Sequence, residues 1–538
     1  MGHPKLTFVL GKYKLIEIYD TTLRDGTQGQ GIAFTSSDKI AIAQRLDIFG
    51  VDFIEGGWPG SNPKDMTFFE AMKDVSLGRA RLTAFGSTSR KGIAPEDDSN
   101  LKALLLAGTP VVTIFGKSWT LHVSEALQTT LDENLEMIRK SVAFMVEQGK
   151  EVIYDAEHYF DGWRADPAYA DETLLAAVQA GANRLVLCDT NGGCLPTFIQ
   201  QRVREVVKMF PSMSIGIHAH NDSELGVANS LCAVEAGANH IQGTMNGYGE
   251  RCGNTNLISV LANLVLKMDY VQPQKLQNLR ELSRYIDERA NLPPDTRAPY
   301  VGDAAFAHKG GVHVSAINRR PETYEHVDPG LVGNMRRVLV SDLSGRANVV
   351  AKASELGERP LDGVEAKKVV ERMKELENRG YAFEGAEASY HLMVRKVRGD
   401  YLPFFVLQGY TVIIDQSDLD REPRCEASIR IEVGGKSEHT AADGHGPVNA
   451  LARALDKALI PFFPCISELE LVDYKVRVLA GAETGTASVV RVLVEMSDGP
   501  QRWTTVGAST SIIEASYEAL IDAIEYKLLN EGVMPPKS

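Results

Sequence analysis

Two imidazoles spaced two residues apart, in His218-Ala-His220-Asn-Asp222, are the sharpest chemical signal in the sequence. On a strand, residues i and i+2 face the same side, so both rings can close on one metal ion. Far earlier in the chain stands Arg24-Asp25, and Asn254 ends the segment Gly249-Glu-Arg-Cys-Gly-Asn254. A carboxylate from Asp25 and an amide oxygen from Asn254 would complete a mixed nitrogen and oxygen set. Such a set suits a divalent ion such as Mn2+, Zn2+ or Mg2+, with positions left open for substrate. Arg24 beside it fits a substrate that is an anion and becomes more anionic as it reacts. Thr190 suits either a substrate carboxylate or a turn cap. Glu157 has three readings: a partner that orients Arg24, a base, or a structural residue. His313, closing Ala307-His-Lys-Gly-Gly-Val-His313, reads as an acid–base over a site mouth or as a surface polar residue.

These residues need a scaffold that brings distant segments together. Through the first 285 residues, short β-rich runs alternate with stretches of helical periodicity. The expected strands are 15–19, 53–56, 82–85, 111–115, 152–155, 185–188, 215–218 and 240–243, with helices such as 37–49, 132–148 and 225–236 between them. Strand–helix alternation means a parallel sheet, and eight units in this length match a (β/α)8 TIM barrel. An open doubly wound sheet should carry a GxGxxG turn after its first strand, where this chain has Asp20-Thr-Thr-Leu-Arg-Asp-Gly26. Every candidate in 1–285 falls at or just beyond the carboxyl end of an expected strand, where barrel ligands sit.

From 286 to 400 the texture becomes rich in Gly, His and Arg, with one helical piece at 363–379. This is expected to be a mainly helical linker region covering the site. The segment 401–538 repeats itself. Strands at 409–414, 427–433 and 437–442 precede a helix at 446–459, and strands at 471–479, 487–495 and 503–508 precede a helix at 511–528. Apolar stripes (Val448, Leu451, Leu455 and Leu459; Ile513, Tyr517, Leu520, Ile524 and Leu528) mark the two helices. Two βββα units of this kind make a pseudo-symmetric module with separate sheet and helix layers, and none of its residues forms a catalytic constellation.

The bulk numbers agree with a multidomain enzyme. The chain has 538 residues, too many for one core. Lys plus Arg number 57 against 71 Asp plus Glu, a formal charge of −14, which argues against nucleic acid as a partner. Six scattered cysteines without a CxxC read as reduced thiols. The opening MGHPKLTFVLGKYKLIEIYD has no signal-peptide layout, and no run of about 18 apolar residues occurs, so no membrane partner is expected and the location reads as cytoplasmic.

Together, Asp20-Thr-Thr-Leu-Arg-Asp-Gly-Thr-Gln28, His218-Ala-His220-Asn-Asp222, Gly249-Glu-Arg-Cys-Gly-Asn254 and the C-terminal repeat resemble the α-isopropylmalate synthase/homocitrate synthase/citramalate synthase family over nearly the whole chain. The resemblance implies an acyltransferase that condenses acetyl-CoA with a 2-keto acid chelated on a divalent metal. It makes Asp25, His218, His220 and Asn254 the metal ligands, Arg24 the oxyanion stabiliser, Thr190 a keto-acid carboxylate contact and Glu157 a polar partner. It makes His313 a catalytic histidine supplied by the neighbouring subunit of a homodimer, and the repeat at 401–538 a regulatory and dimerisation domain. A linker tyrosine that the family often carries is missing from 331–340, which leaves Tyr324 as a substitute or the role filled differently. Thr27-Gln-Gly-Gln-Gly31 and Glu55-Gly-Gly-Trp-Pro resemble the longer citramalate synthases, whose keto acid is pyruvate and whose product is (R)-citramalate, on a route to 2-oxobutanoate and isoleucine. Isoleucine is then the implied effector, at the tips 442–446 and 506–510. The alternatives are 2-isopropylmalate synthesis, with leucine as effector, homocitrate synthesis, and a non-catalytic amino-acid sensor. Phe85, Phe115 and Tyr154 are candidates for shrinking the keto-acid pocket or for plain core packing.

Overall fold

A computed structural model describes residues 15–341, 344–417, 422–479 and 488–536. Residues 1–14, read above for targeting signals, and residue 487, expected to open a strand, lie outside the described residues. Strands β1 (Glu17–Asp20), β2 (Phe53–Gly57), β3 (Arg81–Ser87), β4 (Val111–Lys117), β5 (Glu151–Glu157), β6 (Arg184–Asp189), β7 (Ser214–Ala219) and β8 (His240–Gly243) pair in parallel in chain order, and β8 closes onto β1. The eight-stranded barrel read from the alternation is present, wrapped by helices such as Ser36–Phe49 and Leu131–Glu147.

The two-residue strand period sorts the barrel interior into layers. At the amino-terminal end, Glu17, Glu151 and Arg184 interlock: Arg184 Nε and Nη2 reach Glu17 at 2.6 and 2.7 Å, and Nη1 donates to Glu151. Arg81 and Arg184 both lie over the Phe53 ring, at 4.1 and 4.8 Å. Above them Tyr19, Phe53, Val111, Ile153, Val186 and Cys188 pack as a buried middle layer. The next inward positions, at the carboxyl end, carry polar side chains and form the site.

The chain divides into two compact units: residues up to 306 together with 327–335, and 307–326 together with 336 onward. The second unit begins with a short parallel pair, β9 (Ala307–His308) and β10 (Arg337–Val338), and a helix Gly311–Ile317. The expected helix appears as Gly363–Asn378, joined by Arg346–Glu355 and Glu387–Arg398. The last of these escapes periodicity because Ala388 to Val394 are all buried, and a helix buried all round shows no stripe. Two antiparallel sheets follow. The first is β11 (Val406–Asp415), β12 (Arg424–Val433) and β13 (Lys436–Gly444), backed by helix Pro447–Leu459. The second is β14 (Glu470–Val478), β15 (Val490–Ser497) and β16 (Arg502–Ser509), backed by helix Ile512–Asn530. In each unit the third strand carries a glycine where the helix presses closest. A Cβ on Gly444 would come within 2.3 Å of Ala450 N, and one on Gly507 within 2.0 Å of Ala515 O.

Candidate active site

The polar layer begins in the turn after β1. Thr21 and Thr22 anchor that turn: Thr22 Oγ1 donates to Asp20 Oδ2 at 2.9 Å, and Asp25 N–H donates to Thr21 Oγ1 at 3.2 Å. This sets Arg24 and Asp25 side by side, with Arg24 Nη1 donating to Asp25 Oδ2 at 3.1 Å. A buried carboxylate, Glu55 in the middle of β2, receives Arg24 Nε, Thr21 Oγ1 and Tyr19 OH. The guanidinium lies 3.7 Å over the Phe85 ring. Burial alone would lower the Arg24 pKa, but the Glu55 and Asp25 charges outweigh it and hold the cation fast.

Asp25, His218 and His220 converge, offering one ligand atom each within 4.8 Å of one another. His218 Nε2 stands 3.5 Å from Asp25 Oδ2. Its other nitrogen, Nδ1, lies 2.8 Å from Gln242 Oε1, while Gln242 Nε2 donates to Asp155 Oδ1 at 3.0 Å. With the amide so committed, Gln242 offers only an acceptor, so His218 Nδ1 donates to it and Nε2 is the nitrogen turned toward Asp25. Burial and the neighbouring His218 lower His220 to about 4, which keeps that ring neutral. Burial would raise the Asp25 carboxyl, but Arg24 and His218 drive it far below the usual carboxylate range. Burial pushes Asp155 up to about 7.

The donors fit a divalent metal ion by a test internal to the chain. Asp25 Oδ1, His220 Nδ1 and Asn254 Oδ1 are buried side-chain atoms without a hydrogen-bond partner. Buried polar atoms are normally paired, so unpaired ones here point to a ligand. Asn254 is fixed beside His220: its Nδ2 donates to Tyr248 O at 3.2 Å, and its backbone bridges to His220. Two glycines with positive φ make the loop possible. A Cβ on Gly249 would fall 2.2 Å from Asn254 Nδ2, and one on Gly253 would fall 2.0 Å from Gly247 O.

Around this cluster lies a pocket of about 190 Å3 lined by Arg24, Asp25, Thr190, Glu157, Trp58, Phe85 and Phe115 among others. Thr190 Oγ1 accepts the His158 N–H at 2.9 Å, which leaves its own proton free to donate. Arg251 fastens this rim, donating to Thr190 O at 2.6 Å and to Asp222 at 2.7 Å. Glu157 pairs with Lys117, while Arg24 is held by Glu55, a residue the sequence reading missed although an acid inside the short run 53–57 is itself a signal. Trp58 was likewise noted only as part of a motif. Phe85 and Phe115 do wall the pocket, stacked at 5.2 Å. Tyr154 does not: it alternates outward from Ile153 and Asp155, and its ring packs at Gly116 and Ile138 behind the strand. His313 belongs to the second unit, on the helix Gly311–Ile317, where its ring stacks on Tyr324 at 4.1 Å.

A closed barrel whose carboxyl-end layer gathers an Asp–His–His cluster beside a largely buried arginine is the layout of a (β/α)8 enzyme with a candidate metal site. Residues 15–286 match the family described as HMGL-like, 300–381 the homocitrate synthase post-HMGL domain-like family, and 384–528 the LeuA allosteric (dimerisation) domain. The (R)-citramalate synthase of Geobacter sulfurreducens is 54% identical over 96% of this chain and 98% of its own length. That of Aquifex aeolicus is 50% identical over 96% and 99%. Among solved structures, an HMG-CoA lyase from Brucella melitensis covers 52% of this chain and 99% of its own at 20% identity, with a TM-score of 0.45. The chain belongs to the α-isopropylmalate synthase/homocitrate synthase/citramalate synthase family of condensing acyltransferases. No helix among the described residues is long and apolar enough to cross a membrane.

Proposed function

We infer that the protein joins acetyl-CoA to pyruvate, forming (R)-citramalate and releasing CoA. The single observation that carries this is near-full-length identity of 50–54% to (R)-citramalate synthases, with both the barrel and the C-terminal repeat covered. The pocket supports it: it is small and walled by aromatic rings, and it places a fixed cation beside the Asp–His–His cluster.

Asp25, His218, His220 and Asn254 would hold a divalent ion, Mn2+, Zn2+ or Mg2+, which when bound supplies Lewis-acid polarisation of the keto oxygen. Arg24 stabilises the negative charge that grows on that oxygen as the carbon–carbon bond forms. Its guanidinium is already oriented by Glu55 and Phe85, so little reorganisation is needed. The free hydroxyl proton of Thr190 suits a pyruvate carboxylate oxygen. One methyl proton of acetyl-CoA must leave to give the attacking enolate. His313, or a water it orients, is the base in this reading, supplied by the neighbouring copy of a homodimer, with Tyr324 stacked on it in place of the missing linker tyrosine. Glu157, fixed by Lys117, is the polar partner on the opposite strand tip. Water then hydrolyses the thioester, and CoA leaves as the thiol. The βββα repeat is the dimerisation and regulatory module, with isoleucine as the effector. The deciding experiment is CoA-thiol release from acetyl-CoA with a panel of keto acids, with isoleucine, leucine and valine titrated against it. Pyruvate is expected to give the highest kcat/KM, and preference for 3-methyl-2-oxobutanoate would replace this reading with 2-isopropylmalate synthesis.

A further inference from the structure

Trp58 lines the pocket yet takes no part in its polar chemistry. Its indole stands edge-on to both stacked rings, with centroids 5.7 Å from Phe85 and 5.4 Å from Phe115 at 83° to each. Phe85 cannot vary freely, because Arg24 rests on its face. Trp58 is free of that duty, and hydrogen bonds hold it at both its backbone and its indole. The indole Nε1–H donates to Asn100 Oδ1 at 2.7 Å, and Asn100 Nδ2 donates to Ser87 O at 2.8 Å. The Trp58 backbone N–H donates to Asp65 Oδ2 at 2.9 Å, and Lys39 Nζ holds Asp65 Oδ1 at 2.5 Å. Asn100 is 7% exposed and sits in the first turn of the helix Ser99–Leu106, whose cap Asp98 accepts its backbone N–H at 2.9 Å. Space for its amide comes from two glycines: a Cβ on Gly60 or Gly86 would lie 2.8 or 2.9 Å from Asn100 Oδ1.

We propose that Trp58, locked by Asn100 from outside the pocket, sets the largest side chain a keto acid can carry into the site. The proposal rests on the reading of this pocket as a 2-keto-acid site. An indole fixed at both its backbone and its Nε1–H cannot swing aside for a branched substrate, whereas an untethered ring could. Size discrimination in such a pocket is a packing effect, worth roughly ten- to a hundredfold per methylene or two. Asn100 is therefore a positioning residue, acting only through Trp58.

The test is kcat/KM for pyruvate and for 3-methyl-2-oxobutanoate in wild type, Trp58→Leu, Trp58→Phe, Asn100→Ala and the double variant Trp58→Phe/Asn100→Ala. Trp58→Leu is expected to raise the ratio of branched acid to pyruvate roughly ten- to a hundredfold. Trp58→Phe and Asn100→Ala should each raise it by less. Because phenylalanine has no N–H to lose, the double variant should match Trp58→Phe alone, a failure of additivity that marks one shared lever. A fall in both substrates by the same factor in Trp58→Leu and Trp58→Phe would overturn the proposal. So would full additivity in the double variant. Thermal melts of each variant identify loss of folding, and Trp58→Phe, the smallest change, decides the matter if Trp58→Leu does not fold. Wild-type turnover of pyruvate tests the function separately, so a failure of that reading is seen before any variant is made.

Discussion

His218 shows how one side chain is set in place by residues outside the Asp–His–His cluster. Gln242 decides which imidazole nitrogen carries the proton, and Asp155 decides which way the Gln242 amide faces. Replacing Gln242 with Leu leaves the His218 Nδ1–H buried and unpaired and frees the ring to rotate. Metal affinity is then expected to fall roughly ten- to a hundredfold, the usual cost of losing such an outer partner. Calorimetric titration of Mn2+ into metal-stripped protein measures this without reference to turnover, and unchanged affinity would refute the role of Gln242. The ligand candidates were legible in the sequence because HxH and Arg-Asp at strand ends have few other uses. Gln242 and Glu55 were not, since a glutamine and a glutamate gain meaning only when an interior layer lines them up. Tyr154 stays open between pocket and packing in the sequence for the same reason: a strand alternates, and only its register decides that the ring packs behind the barrel wall.

The strands themselves were legible to within a few residues, because barrel strands are apolar runs ended by turns. The charged floor of the barrel was not, since Glu17, Glu151 and Arg184 are far apart in the chain and ordinary in composition. Burial would raise the Glu17 pKa, but hydrogen bonds from Arg184 and His240 outweigh it, and the net shift is strongly downward from 4.5. A carboxyl depressed in the folded state contributes stability that is present above the unfolded value, near 4.5, and is lost as pH falls toward the folded value. Glu17→Gln is therefore expected to destabilise the barrel by roughly 1–3 kcal/mol at pH 7. Below pH 4.5 the gap to wild type should close by up to about 1.4 kcal/mol per pH unit. Denaturant melts of both proteins at pH 7, 4.5 and 3.5 check this, and a gap that stays constant across the three would show that Glu17 acts by packing alone. The same limit of legibility applies to Glu387–Arg398, in which Ala388 to Val394 are all buried and so show no stripe.

At the scale of the whole molecule, the first unit holds every group proposed to touch the keto acid, and the second holds His313, Tyr324 and the βββα repeat. A barrel that carries all the proposed metal ligands, with the proposed base on a separate unit, makes sense if assembly licenses catalysis. If the base comes from a neighbouring copy, two inactive chains can rebuild an active site between them. On that reading Arg24→Ala removes the oxyanion partner from its own chain's barrel, and His313→Ala removes the base that its chain delivers to the neighbouring barrel. A mixed dimer then contains one site in which both losses fall together and one in which neither does. Random mixing of equal amounts makes half the dimers mixed, so about a quarter of wild-type activity should return. Each variant alone should stay inactive, and His313→Ala should retain keto-acid binding because it removes only a proton-transfer group. The measurement uses differently tagged chains, unfolded and refolded together or co-expressed, with dimers carrying both tags isolated before assay. Those purified mixed dimers should show about half of wild-type turnover, one good site in two. Inactivity of verified mixed dimers would place the base and the arginine on the same chain.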